Sequence, residues 1–464
     1  MGLVSTRIGP GSHLGGSGVG WTPAVLAPVL WLDAALSGIS GGQLVNLGTG
    51  GSALNATFGN TTGIDTFDPA YLPYAGTNYH YSPEVLANFM NITGLSTPGW
   101  TELDVRGAVR IRTNPGGYQI INKDSFSTAR DWNFSVSNAG FPTLFTNTGG
   151  GLLTATCDVG VTANTLLLLR STWRGLDGRV QFFSKSGISE ANAAAELQSN
   201  TGWTQVGADK VGAVGALQNL QTGITMNGSA TGGSGDGFAY TVGSTIGSTS
   251  YLTVSTATGI TSGSQTSFTC TTGQTINIVR SDSGRKSVAV TQPTLLFGTD
   301  DYLEVADNAL VNFDATTSLT ALVVMRTWPT PVSFSSFMGK SNTLSAGSAG
   351  YAIYANPGAN VPATFIGDGV GTQFNGASNY TNGNTTVLAS VIDRTAQTMR
   401  AYTNNNTVAT TSTAAIGSLS NALTLRFGSR PGTNQDFEFI AAAIWRRALT
   451  AGEIAALVAY YGGV

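Results

Sequence analysis

Residues 440–457 read IAAAIWRRALTAGEIAAL and combine an apolar run with a helix-start signal. The run at 440–445 is short and almost wholly apolar, as expected of a strand buried on both faces. Thr450 and Glu453 then have the T-x-x-E spacing of a capping box, in which each side chain accepts a hydrogen bond from the other residue's backbone amide. The stretch therefore predicts a buried strand followed by a short helix that begins after Thr450.

The rest of the chain is a series of short apolar runs separated by turn residues. Residues 108–112 and 132–136 alternate apolar and polar side chains, and residues 166–169 form a continuous apolar run. A second helical pattern spans 189–199. The 61 glycines stand among Thr, Ser and Asn, which is typical of many strands joined by tight turns. We therefore predict an all-β fold.

Five segments recur in the same order about 220 residues later in the chain. They are 42–47 with 273–278, 120–124 with 337–341, 132–136 with 351–355, 166–183 with 386–403, and 236–242 with 436–444. A repeat this long indicates two copies of one domain rather than a solenoid. Glycines and serines cluster near 243–250, which predicts an arm at 1–20, a first domain at 21–245 and a second domain at 246–464.

The second copy resembles the laminin-G-like, concanavalin-A-like jelly-roll family over residues 270–464. The resemblance rests on residues 301–305 with 308–310, 319–326, 387–393 with 400–402, and the closing stretch 440–457. The first copy resembles the family more loosely: residues 31–34 match a common first strand, but no R-x-L-T-x-x-E ending follows Thr241 and Val242. The resemblance implies two tandem concanavalin A-like jelly-roll β-sandwiches behind a glycine-rich N-terminal arm.

Tandem sandwiches behind a glycine-rich lead also resemble the minor tail proteins of phages that infect actinobacteria. The lead contains Ser5, Arg7 and Pro10, which we assign to an assembly arm that orders on a partner surface. The resemblance implies a structural protein of the virion, located in the phage tail, tail tip or fibre. Its expected partners are other tail proteins, further copies of itself and a host cell-surface glycan. A bacterial adhesin of the same fold is an alternative.

Composition and motifs argue against several other classes of protein. The net charge is −3 and no Lys/Arg run occurs, so we expect no nucleic-acid partner. No run reaches the ~18 apolar residues of a membrane span, so we expect no membrane insertion. No Cys/His spacing of the zinc type is present, and we expect no cofactor. Asp300 and Asp301 suggest a calcium site, but a solvated turn is the favoured interpretation.

Glu102 and Asp104 approach the E-x-D-x-E pattern that some glycosidases of the concanavalin-like fold carry on one face of a strand. Arg106 stands where the third acid would be, and we interpret the two acids as turn-flanking charges before a strand. We therefore expect no enzymatic activity. A virion-associated polysaccharide-degrading enzyme is the alternative.

The polar tract 366–384 is the best candidate for ligand binding. It places aromatic rings among amides and hydroxyls, a combination that suits sugars because a ring stacks on C–H faces while amides bond to hydroxyls. The predicted ligand-binding residues are Asp368, Phe374, Asn375, Asn379 and Tyr380. A solvated loop is the other interpretation of this tract.

Three pairs of residues occupy equivalent places in the two copies. We interpret the basic pairs as rim or interface ion pairs and the aromatic pair as core. They are Lys123 with Lys340, Arg174 with Arg394, and Trp132 with Tyr351.

Overall fold

The computed structural model describes residues 21–58, 70–83, 89–97, 99–113, 117–124, 130–228, 234–263, 265–279, 288–298, 301–327, 336–345, 347–355, 361–376, 380, 383–430, 433–434 and 437–462. Short antiparallel strands make up about half of this part of the chain and helices only a small share, which confirms the all-β prediction. Its α-helices are α1 (Ala193–Gln198), α2 (Thr256–Gly259) and α3 (Ala451–Tyr461).

The strands are, in chain order, β1 (Leu30–Asp33), β2 (Ile39–Ser40), β3 (Gln43–Leu44), β4 (Ala56–Phe58), β5 (Ala70–Leu72), β6 (Tyr79–Ser82), β7 (Phe89–Ile92), β8 (Glu102–Thr113), β9 (Tyr118–Asp124), β10 (Arg130–Val136), β11 (Pro142–Thr148), β12 (Gly151–Thr156), β13 (Leu166–Arg174), β14 (Arg179–Lys185), β15 (Thr204–Gln205), β16 (Lys210–Val211), β17 (Ile224–Gly228), β18 (Ser234–Gly243), β19 (Leu252–Ser255), β20 (Ser267–Thr269), β21 (Thr275–Val279), β22 (Val288–Val290), β23 (Thr294–Phe297), β24 (Leu303–Val305), β25 (Leu319–Arg326), β26 (Ser336–Lys340), β27 (Ala349–Ala355), β28 (Pro362–Asp368), β29 (Thr372–Gly376), β30 (Thr386–Asp393), β31 (Thr398–Thr403), β32 (Asn406–Ser412), β33 (Leu425–Phe427), β34 (Ser429–Arg430), β35 (Thr433–Asn434) and β36 (Phe437–Trp445).

The chain divides into two compact units. The inserted unit comprises Tyr71–Thr299, and the interrupted unit comprises Met1–Ala70 together with Asp300–Val464. The sequence of one unit therefore lies inside the sequence of the other. The predicted domains at 21–245 and 246–464 do not coincide with these units, and the predicted arm at 1–20 lies outside the described residues.

The two units share one strand order, which supports the predicted internal repeat. In the inserted unit one sheet runs β12-β11-β10-β9-β17-β7-β21-β20 and the other contains β14-β13-β8-β18-β19. In the interrupted unit the corresponding orders are β29-β28-β27-β26-β33-β24-β4-β3 and β31-β30-β25-β36-β1. Each long closing strand, β18 or β36, thus pairs with a core strand on one side and, along part of its length, with the short strand β19 or β1 on the other.

The short partner strand of each unit explains why the observed boundaries differ from the predicted ones. In the interrupted unit β1 pairs with β36, with Leu30 opposite Ile444. In the inserted unit β19 pairs with β18, with Leu252 opposite Val242. The repeat would assign β1 to the first copy and β19 to the second, so the copies have exchanged these segments. Sequence similarity specifies which segment fits which sheet, but not from which copy the segment comes.

One core in the inserted unit is built from both of its sheets. Trp132 and Phe134 of β10 and Trp173 of β13 come from opposite sheets and are fully buried. The Trp173 indole N–H donates to the Ala213 carbonyl at 2.8 Å, so this buried donor is satisfied. The alternation in 132–136 therefore packs one side-chain face inward, as predicted, and Trp132 and Tyr351 are both core residues.

The outer face of each long sheet is covered differently in the two units. In the interrupted unit α3 packs Ile454, Leu457 and Val458 against an apolar face that includes Leu322 and Trp445. The inserted unit has no counterpart of α3 after β18 among its described residues. Its cover is α1, which contacts β8 and β18. The first copy therefore closes without the R-x-L-T-x-x-E ending by using a helix from elsewhere in its chain.

The capping box of α3 is formed as predicted. The Thr450 hydroxyl accepts from the Glu453 amide at 3.2 Å, and the Glu453 carboxylate accepts from the Thr450 amide at 2.8 Å. The Arg447 guanidinium also donates to Glu453, and these contacts lower the pKa of Glu453 from its usual 4.5 to about 2. The start of the helix is thus tied to the strand that precedes it.

Acidification is expected to loosen this helix start. Because the pKa of Glu453 is lower in the folded chain, its contribution to stability is complete above pH 4.5 and is lost as the pH falls toward about 2. An NMR titration of the Glu453 carboxyl group should show a midpoint near the lower value. A midpoint near 4.5 would contradict the observed contacts, and Glu453→Gln should remove this pH response.

Candidate functional site

Charged residues line the outer face of the inserted unit's sheet. Successive strand residues point to opposite faces, so every second residue of β8 lies on one face. That face carries Glu102, Asp104, Arg106, Arg110 and Arg112. Leu103, Val105 and Val109 lie on the other face and belong to the core. The alternation that buries β8 thus also presents a row of charges.

Asp104 is the centre of a buried ion network on this face. Its two carboxylate oxygens accept from Arg106 at 3.0 and 3.0 Å and from Arg170 at 3.0 and 2.7 Å. The Gly247 amide donates to the same carboxylate at 2.7 Å. Arg106 also donates to the carbonyl groups of Leu197 and Ser199, at the end of α1. The network therefore attaches the covering helix to the sheet.

The position of Asp104 corrects the interpretation of the acidic pair. Glu102 and Asp104 lie within β8 rather than in a turn before a strand. Arg106 follows on the same face, so the third acid of the glycosidase pattern is replaced by a cation that binds Asp104. Since its oxygens already accept from two guanidinium groups, a substrate cannot reach the Asp104 carboxylate.

A cleft of about 400 Å³ lies farther along the same strand. Its lining residues are Pro73, Tyr74, Ala75, Arg110, Arg112, Asn164 and Glu190. Asp236 accepts from Arg110 at 2.8 Å and from Arg112 at 2.8 Å, and Glu190 forms a second ion pair with Arg110. Two cations thus meet two anions, and this group of side chains is neutral overall.

Aromatic rings hold the two cleft arginines in place. The Arg110 guanidinium lies 5.4 Å from the centre of the Phe238 ring, and that of Arg112 lies 5.4 Å from the centre of the Tyr81 ring. Arg112 also donates to the Tyr71 carbonyl at 2.7 Å. These contacts fix both side chains before any ligand arrives, which lowers the entropic cost of binding.

Asn164 and Tyr74 supply further polar groups at the rim of the cleft. Asn164 is exposed and has a left-handed backbone with φ of 60°. Its backbone N–H donates to the Ile111 carbonyl at 2.7 Å, so its side chain is left at the rim. The Tyr74 hydroxyl donates to Asn78 at 2.9 Å, and partial burial raises the pKa of Tyr74. An amide, a phenol ring and guanidinium groups are the residue types that bind hydroxyl-rich ligands.

The interrupted unit contains a counterpart of the Arg110–Asp236 ion pair, but both of its side chains are buried. Arg326 of β25 pairs with Glu438 of β36 at 2.7 Å, at the strand positions equivalent to Arg110 and Asp236. Both side chains are buried there. The pair itself is therefore a feature of the fold, and what distinguishes the inserted unit is that its arginines reach an open cleft.

The residues predicted to bind ligand in 366–384 do not converge. Asp368 binds three backbone amides, those of Val370, Gly371 and Gly417, and these bonds hold its pKa below the usual range. Asn375 is 3% exposed and donates to the Met399 carbonyl. Asn379 lies outside the described residues.

The two predicted aromatic residues of this tract differ in exposure. Tyr380 is 6% exposed, packs against Phe337 and has a pKa raised by burial. Asn375 and Tyr380 are therefore core residues. Their burial could not be predicted, because the sequence of a polar tract does not reveal which of its side chains turn inward. Phe374 is 43% exposed beside Tyr354 and Phe365, so among the predicted residues that the structure describes it is the best placed to meet a ligand.

The equivalent lysines are more buried than the predicted rim pairs. Lys123 lies 3.4 Å from Asp131, and Lys340 binds Asp307 at 2.8 Å and Asn421 at 3.0 Å. Both ammonium groups are buried, and this burial lowers the pKa of each. They hold loops inside each unit and are not surface contacts.

The two arginines predicted to be equivalent do not occupy the same strand position, since the register sets Arg174 level with Asp393. Arg174 forms the predicted exposed pair with Asp177, whereas Arg394 donates to the carbonyl groups of Ile416 and Gly417.

The described ranges contain no cluster of metal-binding side chains and no membrane-spanning helix. Within these ranges no three His, Cys, Asp or Glu residues come together as a metal-ion site. Asp301 is buried, and Asp300 lies outside the described residues. Of the helices described, none is long and apolar enough to cross a bilayer.

A signal for the cleft was present in the sequence. Residues 108–112 were identified as an alternating strand, and the alternation itself places Arg110 and Arg112 on one face. Their partners Asp236 and Glu190 come from distant parts of the chain, so the pattern could not reveal them.

Three solved structures show a distant similarity to this chain. The binding domain of Paraclostridial Mosquitocidal Protein 1 is 15% identical with a TM-score of 0.29, over 36% of this chain and 43% of that one. The Ruminococcus gnavus IT-sialidase CBM40 bound to α2,3 sialyllactose is 14% identical with a TM-score of 0.25, over 32% and 91%. Domains LG4-5 of the mouse laminin α1 chain are 11% identical with a TM-score of 0.30, over 84% and 96%. TM-scores of this size support no conclusion about ligand or activity.

The comparison of sequences is more specific for one part of the chain. This chain spans less than half of the mosquitocidal binding domain, and no curated protein sequence matches it. Residues 297–455 match the Laminin_G_3 family model of the concanavalin A-like lectin/glucanases superfamily. Because the inserted unit repeats the strand order of that domain, the chain consists of two sandwiches of the laminin-G-like, concanavalin A-like fold.

Proposed function

We propose that the chain is a binding component of a phage tail that attaches to a host cell-surface glycan through the cleft of the inserted unit. The observation that carries the proposal is the cleft itself, in which Arg110, Arg112, Asn164, Tyr74 and Glu190 face one open volume. The tail assignment is supported by the resemblance, noted in the sequence, of two sandwiches with a glycine-rich lead to minor tail proteins. Assembly with other tail proteins and with further copies belongs to the same proposal.

The charges of the cleft favour a neutral sugar over a polyanion. Arg110 and Arg112 each have a carboxylate partner, so neither guanidinium carries an uncompensated charge. An acidic polysaccharide would have to displace Asp236, which is buried beneath both arginines. A hydroxyl-rich chain can instead donate to Glu190 and bond to the Asn164 side chain without breaking these ion pairs.

The carboxylates near the cleft favour binding over hydrolysis. A glycosidase needs two carboxyl groups on opposite sides of the scissile bond. Asp236 is buried and accepts from arginine through both oxygens, whereas Glu190 accepts from Arg110 through one, so the described residues of the cleft offer no free pair of carboxyl groups. An enzyme that degrades polysaccharide is the second candidate, and release of reducing sugar from host cell-wall polysaccharide would favour it.

Asn164→Gly is expected to weaken glycan binding about three- to tenfold, which corresponds to the loss of one hydrogen bond. Glycine keeps the left-handed backbone at this position, so the loop should retain its path. Binding of the full chain to purified host cell-wall polysaccharide, measured by sedimentation, provides the readout.

Two matched variants complete the experiment. Gln397→Gly removes an exposed polar side chain at another left-handed position, in the interrupted unit, and should leave binding unchanged. Phe374→Ser tests the surface expected from the sequence. Loss of binding with Phe374→Ser but not with Asn164→Gly would move the site to the interrupted unit.

The tail assignment needs a separate measurement. Antibody labelling of intact particles is expected to place the chain on the tail. Particles without label, or label on the capsid only, would contradict it.

A further inference from the structure

We propose that residues 21–58, here called the closing segment, can complete the interrupted unit of a second copy of this chain. The segment contains β1, which pairs with β36, and β4, which pairs with β24. Leu30, Leu32, Leu44 and Leu54 of the segment are fully buried. The interrupted unit therefore has a core position that only an added segment fills.

The link between the closing segment and its own unit is indirect. From β4 the chain passes through the whole of Tyr71–Thr299 before it reaches β24. No hairpin ties β1 to β36 or β4 to β24, since their partners lie far away in the sequence. The contacts are backbone ladders and buried leucines, and they are the same whether the segment comes from the same chain or from another.

The inserted unit shows the local solution to the same problem. There β19 follows β18 after eight residues, 244–251, and pairs back on it at once. In the interrupted unit the residues after β36 form α3 instead, so the partner strand must come from a remote segment. The slot beside β36 is thus filled by strand addition from outside the neighbouring sequence.

Concentration decides which copy donates the segment. Both arrangements make identical contacts, so the balance is between the effective concentration within one chain and the concentration of other copies. Copies held side by side in an assembly meet this condition. The proposal does not depend on glycan binding.

Two complementary substitutions test the exchange. Leu32→Asp disables the closing segment but leaves the slot intact, and Ala442→Asp, directly opposite in β36, disables the slot but leaves the segment intact. The full-length variants carry different tags and are refolded separately and as an equal mixture. In the mixture the two tags should co-purify, and residues 303–461 of the Leu32→Asp chain should regain protection from protease.

The control and the contrary result are equally direct. Val25→Asp changes an exposed residue of the closing segment. Residues 303–461 of this variant should be protected from protease without a second chain. The wild-type chain should form more dimer when it is refolded at higher concentration, as measured by light scattering. If the mixture behaves as the sum of its parts, or the wild-type chain stays monomeric at every concentration, the proposal is wrong.

Discussion

Leu32→Ala is expected to open the interrupted unit, most of which lies beyond residue 300 in the sequence. It should leave the inserted unit folded, although that unit follows Leu32 more closely along the chain. Leu32 is fully buried in β1, opposite Ala442 of β36. Removing a buried leucine side chain costs about 2–5 kcal/mol of unfolding free energy, because a cavity remains. Limited proteolysis across a denaturant series, read by mass spectrometry, should show earlier cleavage within 303–461 and unchanged protection within 79–290.

Leu252→Ala is the matched variant for this prediction. Leu252 is equally buried, lies in β19 and pairs with Val242 of the inserted unit. It should open residues 79–243 and leave the interrupted unit protected. If the two variants gave the reverse pattern, each segment would belong to its own repeat, and the boundaries at 21–245 and 246–464 would be restored.

Asp104→Ala should destabilise the inserted unit by about 3–5 kcal/mol, because it leaves two buried guanidinium groups without a counter-ion. Arg106 is fully buried, and Arg170 is 8% exposed. The carbonyl groups of Leu197 and Ser199 would remain as partners of Arg106, but they carry no full charge. Equilibrium unfolding in urea gives the change in free energy.

Asp177→Ala provides the control for Asp104→Ala. Asp177 pairs with Arg174 on the surface, where both side chains are more than a third exposed. Such pairs contribute about 0–1 kcal/mol. A loss as large at Asp177 as at Asp104 would show that burial is not the cause.

The interrupted unit suggests a compensating variant. At the positions of Asp104, Arg106 and Arg170 it carries Thr320, Leu322 and Ala389, as the strand registers show. Replacing a complete buried ion network by packed apolar residues is often neutral or stabilising. The triple change to those residues removes the buried charges together and should therefore cost less stability than Asp104→Ala.

The local features of the fold could be predicted from sequence because their causes are local. The run at 440–445 and the pair Thr450 and Glu453 lie within a few residues of one another, and they form β36 and the cap of α3 as expected. The repeat was also visible, since both copies need the same strand order. The exchange of segments could not be predicted. Both β1 and β19 are short and apolar enough to be buried, so either could lie beside either closing strand.

The candidate site was harder to predict because it depends on what covers each residue. Alternation shows that Arg110 and Arg112 share a face, but α1 and residues 73–75 decide whether that face is open. In the tract 366–384, composition indicated polarity and aromaticity correctly. It could not show that Asn375 turns toward Met399 while Phe374 turns to solvent.

The nesting of one unit within the other has a mechanical consequence. Residues 30–33 and 441–444, which lie on either side of the inserted unit in the sequence, are hydrogen-bonded neighbours in one sheet. Tension applied between a point before residue 30 and a point after residue 444 therefore acts first on this strand pair, while Tyr71–Thr299 bears no load until those strands separate. Under the proposed role in attachment, such an arrangement would keep the cleft of the inserted unit folded under pulling force.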